Sequence, residues 1–283
     1  MSAAERTLLP SVAILGAGSM GRAILAGMLS PAVEVDGGIV VTNRSAAKAA
    51  EFDDEPRVEA IATDDDPEGN RRAAAGAAIV LVAVKPAMVP ALLDEIADAL
   101  RPGAVVVSVA AGVTVATFEK HLPAHVAVLR SMPNTPAVVG RAVTGLSAGT
   151  RSSDADLELV RSLFETVGTV VEVPESQLDA LSTISGSGPA YVYLLIEALT
   201  AAAVEKGFTP DQAAILVNET FAGATELLTA SGATPTALRI QVTSPKGTTE
   251  RALAVLDDAD LPALFTRATD AALARAKELA ASA

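Results

Sequence analysis

The sequence predicts an α/β fold in which a doubly wound parallel sheet is followed by an all-helical domain. Short β-branched runs alternate with alanine-rich segments over residues 1–173, a glycine-rich turn follows the first long run, and the pattern beyond Pro174 is purely helical. Alternating strands and helices are typical of βαβ units. We therefore predict two domains, residues 1–173 and residues 174–283.

Nearly continuous apolar runs predict buried parallel strands, because helices cover both faces of such a sheet. The runs are 12–15, 39–42, 79–84, 105–109 and 126–129. The segments between them predict helices at 22–29, 46–51 and 89–100. The alternation continues with a strand at 145–148, a helix at 154–167 and a strand at 170–173, and Pro174 ends it.

The second half predicts only helices, at 177–184, 189–206, 211–229, 249–257 and 262–281. Lys206-Gly207 is a helix stop, and Thr209-Pro210 places a proline at the first position of the next helix. Many of the residues in these helices are small and apolar. A monomer would expose them, so we expect the helical domain to mediate self-association.

Composition excludes several functional classes. Of the 283 residues 50% are hydrophobic and 19% are charged, which supports a large core and excludes wholesale disorder. The net charge of −13 argues against binding to nucleic acid or to an anionic membrane surface. The absence of cysteine excludes disulfides, thiolate metal sites and cysteine nucleophiles, and it agrees with a cytoplasmic location.

Hydropathy predicts no membrane span, although the mean hydropathy is +0.40. The longest uncharged apolar stretches, 73–84 and 104–118, are shorter than the roughly 18 residues that a spanning helix needs. Residues 1–10 contain Glu5 and Arg6 and have no apolar centre, so no signal peptide is expected. Asp64-Asp65-Asp66 is interpreted as a solvated loop and not as a metal site.

The glycine-rich turn predicts a Rossmann-type dinucleotide site. Its sequence, Gly16-Ala17-Gly18-Ser19-Met20-Gly21, directly follows a strand and opens a helix. In this context the glycines allow a tight turn, close approach of the backbone to a pyrophosphate, and close helix packing. The helix N-terminus then faces the negative charge of the phosphates. The alternative is an ordinary glycine-rich turn.

The end of the second long strand predicts which dinucleotide binds. An acidic residue there would bind the ribose hydroxyls of NAD, but this strand ends in Asn43-Arg44. Arg44 can pair with a 2′-phosphate, and Lys48 adds positive charge four residues later. NADPH is therefore favoured, NADH stays open, and the alternative is that Arg44 is a solvated surface charge.

Loops in both halves carry further motifs. They are AVKP at 83–86, AAGV at 110–113, PNTP at 133–136, ISGSGPAY at 184–191 and TSPKGTT at 243–249. Together they resemble the motifs of the pyrroline-5-carboxylate reductase family, and the resemblance spans nearly the whole chain. It implies NAD(P)H-dependent reduction of 1-pyrroline-5-carboxylate to L-proline, the final step of proline biosynthesis. It also implies an intertwined dimer, often assembled into a decamer.

The resemblance also implies site residues. The implied cofactor contacts are Gly16, Ala17, Gly18, Ser19, Met20, Gly21, Asn43, Arg44, Asn70, Ala83, Val84, Lys85, Pro86, Val109, Ala110 and Ala111. The implied substrate contacts are Val242, Ser244, Gly247, Thr248 and Thr249, and Thr249 matches the proton donor proposed for the family. Lys246 departs from the pattern, because many members have glycine there. A positive φ at this position would strain the lysine.

Reduction of a cyclic imine needs a hydride at the ring carbon and a proton at nitrogen. His121 and His125 are interpreted as surface residues and are not expected to supply the proton; Pro123 between them and the lack of a third ligand nearby argue against a metal pair. Thr249, water or an already protonated substrate remain as sources, and a threonine hydroxyl is expected mainly to orient the substrate. Ser244-Pro245, ahead of a helix starting near Thr249, predicts a carboxylate site; a plain N-cap is the alternative.

Two other functions stay open from the sequence. The same fold could reduce another cyclic imino acid or act on a β-hydroxyacid. Hydroxyacid dehydrogenases of this plan usually place a lysine on the interdomain helix, and residues 175–200 contain none. The chain could also be a nucleotide-binding protein that has lost catalysis, which tight NADPH binding without turnover would indicate.

Overall fold

The structure, a computed structural model, describes residues 6–281. The strands are β1 (Thr7–Leu9), β2 (Val12–Leu15), β3 (Val33–Val35), β4 (Ile39–Asn43), β5 (Val58–Ala62), β6 (Ile79–Val82), β7 (Val105–Ser108), β8 (Ala127–Met132), β9 (Ala142–Ala148) and β10 (Gly168–Glu172). The helices are α1 (Ser19–Met28), α2 (Ala46–Ala49), α3 (Gly69–Gly76), α4 (Val89–Ile96), α5 (Val115–His121), α6 (Asp154–Glu165), α7 (Glu175–Leu181), α8 (Gly188–Glu205), α9 (Pro210–Ser231), α10 (Pro235–Gln241), α11 (Thr248–Asp257) and α12 (Leu261–Ala281).

Eight strands form one sheet in the order β10-β9-β8-β7-β6-β2-β4-β5. All neighbouring pairs are parallel except β8 and β9, which are antiparallel. Leu15, the last residue of β2, is in register with Thr42 of β4 and Val82 of β6, so these strands end at one edge. The chain reverses direction across the sheet at β2, and ligands of doubly wound folds bind at such a switch point.

The sheet is buried on both faces, as the continuous apolar runs predict. On one face, Ile14 and its neighbours pack against residues of α1 and α6, including Ile24 and Phe164. On the other face, Leu15 and its neighbours pack against α3, α4 and α5, including Phe118. Successive residues of each strand therefore serve opposite layers of the core.

The chain divides into two compact units. The first comprises Met1–Gly186 and Leu273–Ala283, and the second comprises Ser187–Ala272. In the second unit α8 packs on α9, and the rings of Tyr191 and Phe265 make an edge-to-face contact with centroids 6.1 Å apart. The fold class is the predicted one: a doubly wound sheet followed by helices.

Several predicted elements differ from those in the structure. The strand predicted at 79–84 ends at Val82, the helix predicted at 89–100 ends at Ile96, and the helix predicted at 177–184 ends at Leu181. A π-helical segment, Ser182–Gly186, follows Leu181. The short elements β1, β3, β5, α3, α5 and α10 are not predicted, because three to eight residues give too little periodicity.

The domain boundary after residue 173 stays a prediction. The last strand ends at Glu172, whereas the compact units divide after Gly186 and the end of α12 belongs to the first unit.

One helical run in the described residues, Glu175–Glu205, is long and apolar enough to cross a membrane by length and composition alone. Between Asp179 and Glu197 the run contains 17 uncharged residues, 180–196, which is just short of the roughly 18 that a spanning helix needs. None of the apolar window is buried within the chain. These side chains are the part of the molecule that needs an external covering.

Candidate active site

The glycine-rich loop connects β2 to α1 and leaves the helix N-terminus open. Gly18 is the N-cap of α1, and no side chain caps this end. Gly16 has a φ of +87°, and a Cβ there would lie 2.6 Å from Cγ1 of Val84. A Cβ on Gly21 would lie 3.1 Å from Cγ2 of Ile14. The turn therefore requires the first glycine, and close helix packing requires the last. Because no side chain caps the helix, its first-turn N–H groups are available to bind an anion.

Hydrogen bonds from neighbouring elements hold this loop in place. The backbone N–H groups of Gly16 and Ala17 donate to the Thr42 carbonyl at 3.1 and 3.0 Å. Arg22 donates from Nε to the Ala17 carbonyl at 3.2 Å and also pairs with Glu51. The hydrogen bond from Arg22 lowers the pKa of the Glu51 carboxyl and raises the pKa of the guanidinium. The loop is therefore supported before any ligand binds.

Two adjoining cavities, of about 360 and 370 Å³, open beside this loop. They share the residues Gly16, Asn43, Arg44, Val84 and Met88. Arg44 forms no salt bridge with any residue of the described chain, and Lys48 lines the second cavity. The free guanidinium is suited to an anion such as a phosphate.

Asn43 provides an independent test of whether a ligand fits. Its Nδ2 is buried and finds no acceptor within the described residues. A buried amide donor without a partner is costly, so a group that accepts a hydrogen bond here would be bound favourably. With the open end of α1 and free Arg44, the residues fit a phosphorylated dinucleotide.

A third cavity, of about 230 Å³, lies by the loops that follow β6 and β7. It is lined by Pro86, Ala111, Gly112, Arg130, Met132, Asp179, Ser182 and Ala276. Pro86 and Ala111 belong to the predicted cofactor contacts. The cavity therefore joins these two loops to residues that the sequence reasoning did not select.

Arg130 is the most buried charged residue of this cavity, at 5% exposure. It donates from Nη2 to Asp179 Oδ1 at 2.7 Å and from Nη1 to Glu175 Oε1 at 3.4 Å. Glu175 Oε1 also accepts from the Val115 N–H at 2.7 Å. This network ties β8, α7 and the start of α5 together around the loop at 109–114. An arginine within the apolar run of a buried strand was the available signal.

The predicted substrate residues lie in the second unit, in the loop before α11 and in the first turn of that helix. Gly247 is the N-cap of α11, and no side chain caps it. The Gly247 N–H donates to the Ser244 carbonyl at 2.9 Å, and the Lys246 N–H donates to Glu250 Oε2 at 2.8 Å. Thr249 is half-buried in the first turn. The loop therefore presents an open helix end, as a carboxylate site requires.

Lys246 adopts a backbone conformation with positive φ, which strains a lysine. Its φ is +60°, in the left-handed region that glycine tolerates and lysine disfavours. The turn thus forms with lysine where many family members have glycine, and the lysine backbone is strained in it.

The histidines lie away from these cavities. His121, at the end of α5, pairs through Nδ1 with Asp94 Oδ1 at 2.6 Å, and His125 is exposed. Within residues 6–281 no group of three His, Asp or Glu side chains could hold a metal ion. Asp66 of the acidic triplet pairs instead with Arg72 at 2.5 Å.

Comparison with known proteins gives the family. Residues 175–279 match the family model described as pyrroline-5-carboxylate reductase dimerisation, and residues 11–112 match NADP oxidoreductase, coenzyme F420-dependent. The pyrroline-5-carboxylate reductase of Corynebacterium melassecola is 36% identical over 272 residues, covering 95% of this chain and 98% of that protein. The chain belongs to the pyrroline-5-carboxylate reductase family.

Solved structures agree with this assignment. The pyrroline-5-carboxylate reductase from Coxiella burnetii superimposes with a TM-score of 0.87 at 37% identity, covering 95% of this chain and 97% of that one. The Plasmodium falciparum pyrroline carboxylate reductase with NADP bound gives 0.80 at 25% identity, covering 95% and 98%. The predicted resemblance to the pyrroline-5-carboxylate reductase family is confirmed over nearly the whole chain.

The structure brings the predicted cofactor residues together at one edge of the sheet. Gly16, Gly18, Asn43, Arg44, Asn70, Ala83, Val84 and Lys85 line the first two cavities, and Pro86 and Ala111 line the third. Ala17, Val109 and Ala110 lie in the same loops, and Ser19, Met20 and Gly21 form the first turn of α1. Val242, Ser244, Gly247, Thr248 and Thr249 form one loop and helix start in the second unit. The roles of these residues in this member of the pyrroline-5-carboxylate reductase family stay predictions.

Proposed function

We propose that the protein reduces 1-pyrroline-5-carboxylate to L-proline with NADPH, as the final step of proline biosynthesis. The observation that carries the proposal is the open, glycine-lined dinucleotide cradle with its free Arg44, in a chain that matches pyrroline-5-carboxylate reductases over 95% of its length. The relatives carry that activity in their names.

The first unit supplies the cofactor site. The first-turn amides of α1 bind the pyrophosphate, and Arg44 with Lys48 binds the 2′-phosphate that distinguishes NADPH from NADH. Asn43 donates to the ligand from its otherwise unpaired Nδ2. When bound, NADPH supplies the hydride that reduces the imine carbon. The remaining cofactor contacts are Asn70 of α3 and the predicted positions in the loops after β6 and β7.

The second unit supplies the substrate site. The open N-terminus of α11 holds the substrate carboxylate through backbone N–H groups and the hydroxyls of Ser244 and Thr248. Thr249 orients the ring by a hydrogen bond to its nitrogen, and a threonine hydroxyl is too weak an acid to drive the proton transfer alone. Its replacement by alanine should therefore lower the rate without abolishing it. Full activity of Thr249→Ala, with Thr266→Ala as the helix-threonine control, would remove this role.

The assembly is a homodimer built on the helical unit, located in the cytoplasm, and the family resemblance implies that such dimers often assemble further into a decamer. The match of residues 175–279 to a dimerisation model supports self-association. The bare apolar face of α8 supports it independently, because such surface is covered in soluble assemblies.

The test is the loss of nicotinamide absorbance when the purified protein meets 1-pyrroline-5-carboxylate, with NADPH and NADH compared in parallel. Rapid turnover that favours NADPH is expected, and Arg44→Asp should shift the ratio of kcat/KM values toward NADH by at least about tenfold. Arg6→Asp is the control, since Arg6 lies outside the two cavities beside the glycine loop.

The other outcomes separate the alternatives. Turnover that favours NADH would retain the reaction and remove the phosphate-reading role of Arg44. NADPH binding without turnover would favour another imine substrate or a protein that has lost catalysis. Failure to bind either cofactor would overturn the proposal.

A further inference from the structure

Glu95 is an acidic residue of the cofactor cavity that no sequence motif selects. It lies in the last turn of α4, is half-buried, and lines the cavity of about 360 Å³ together with Asn70 and Arg44. An acidic group is unfavourable beside the phosphates of an anionic cofactor, because it repels them. Its presence therefore points to a part of the ligand that carries no negative charge.

The position of Glu95 is set by two residues of α3. Asn70 donates from Nδ2 to Glu95 Oε2 at 3.4 Å, and Arg71 donates from Nη1 to the Glu95 backbone carbonyl at 2.8 Å. Among the described residues no lysine or arginine forms a salt bridge with the Glu95 carboxylate. A carboxylate has about four acceptor positions, so this one keeps unused acceptor capacity beside the cavity.

The rest of the cavity is suited to a flat, uncharged ring. Its walls include the apolar side chains Ala87, Met88, Ala91 and Leu92, and Arg44 is the cationic group of the same cavity. A guanidinium can stack on an aromatic ring as well as pair with a phosphate. The cavity thus combines apolar contact and a stacking cation with a fixed group that only accepts hydrogen bonds.

We propose that Glu95 is a specificity-determining residue that reads the base of the cofactor by accepting a hydrogen bond from the exocyclic amine of adenine. This rests on the proposed function, because that function supplies an adenine dinucleotide as the ligand. Adenine presents an N–H donor at this position, whereas hypoxanthine presents a carbonyl oxygen. Two facing acceptors repel each other, so the deaminated base is bound more weakly.

The test compares the binding of NADPH and of its deaminated analogue, reduced nicotinamide hypoxanthine dinucleotide phosphate, by calorimetric titration without substrate. The wild-type chain should bind NADPH at least about tenfold more tightly, as expected for a hydrogen bond to a charged acceptor. Glu95→Gln should bring the two dissociation constants within about twofold, because the glutamine amide can donate to the hypoxanthine oxygen.

Asp94→Asn is the matched control, since it makes the same chemical change one residue earlier in α4, where Asp94 pairs with His121. This variant should keep the wild-type ratio of the two dissociation constants, for NADPH and for its deaminated analogue. Glu95→Ala is a second variant, which should weaken NADPH binding and tighten binding of the analogue, because it removes both the hydrogen-bond acceptor and its repulsion of the carbonyl oxygen.

Each outcome bears on the proposal. Equal binding of both dinucleotides by the wild type, or an unchanged ratio in Glu95→Gln, would overturn the role of Glu95 and leave the proposed reduction intact. Failure of the wild type to bind either dinucleotide would overturn the proposed function and this inference with it.

Discussion

The two units use similar apolar sequences in opposite ways. In the first unit every residue of β2, β6 and β7 is buried inside the chain. In the second unit α8 has no buried residue, although its helix includes Leu194 and Tyr193, which are 64% and 59% exposed. Burying one such side chain is worth about 1.5–3 kcal/mol. The first unit thus completes its own core, and the second leaves its core for another chain to complete.

The largest expected effect comes from charging the bare face of α8. Leu194→Lys should weaken self-association by about 100-fold or more, because an apolar interface cannot solvate the ammonium group. Activity at micromolar concentration should fall with it. Light scattering combined with the reductase assay measures both.

Leu8→Lys is the matched control in the first unit, since Leu8 is 69% exposed. If both variants remained fully assembled, the contrast between the two units would be wrong.

A second variant tests the stability of the first unit, which completes its own core. Arg130→Met should lower the free energy of unfolding by about 3 kcal/mol, because it leaves the carboxylates of Glu175 and Asp179 without their cation. Breaking a buried ion pair costs about 3–5 kcal/mol of unfolding free energy, and the lower value applies here because both carboxylates are partly exposed. Urea denaturation at several protein concentrations should show a loss that does not depend on concentration, unlike that of Leu194→Lys.

Arg151→Met is the control for Arg130, because Arg151 donates to backbone carbonyls near the other end of α5. It should cost about 1–2 kcal/mol and leave NADPH binding unchanged. If both variants lost the same free energy of unfolding, the carboxylate network of Arg130 would contribute no more than the backbone hydrogen bonds of Arg151.

A third variant tests whether the first unit presents a preformed cradle. Gly16→Ala should weaken NADPH binding by at least about tenfold, because alanine disfavours a φ of +87° and its Cβ would collide with Val84. Gly103→Ala shares the positive φ, but nothing lies within 4 Å of its Cβ. Calorimetric titration should show normal NADPH binding in the Gly103 variant. If NADPH affinity fell equally in both variants, backbone strain and not the contact with Val84 would be the cause.

The smallest expected effect concerns the strained loop of the second unit. Lys246→Gly should raise the free energy of unfolding by about 0.5–1 kcal/mol, because glycine adopts a φ of +60° without a steric penalty. Lys246→Ala removes the ammonium but keeps the Cβ, so it should bring no gain. Thermal denaturation of the two variants separates the effects, and equal stability would show that no strain is relieved.

Much of the first unit could be predicted from the sequence. The long central strands and the glycine loop were found because continuous apolar runs and a strand-glycine-helix pattern have few alternative structures. The short strands β1, β3 and β5 were missed for lack of periodicity, and the run over 177–184 gave no sign of its change to a π-helical turn at Ser182–Gly186. Glu95 and Arg130 were missed as cavity residues because each stands alone within an ordinary helix or strand pattern.

The sequence by itself determined the fold class and the dinucleotide loop, and it singled out Arg44 as the predicted phosphate-binding residue, because these inferences depend on local periodicity and on residues adjacent in the chain. It also located the lysine at the strained position 246. Only the tertiary structure decided that Glu95 lies in one cavity with Arg44, and that Arg130 meets Glu175 and Asp179. These pairs are 45–51 residues apart, and only long-range packing of strands and helices brings such residues together.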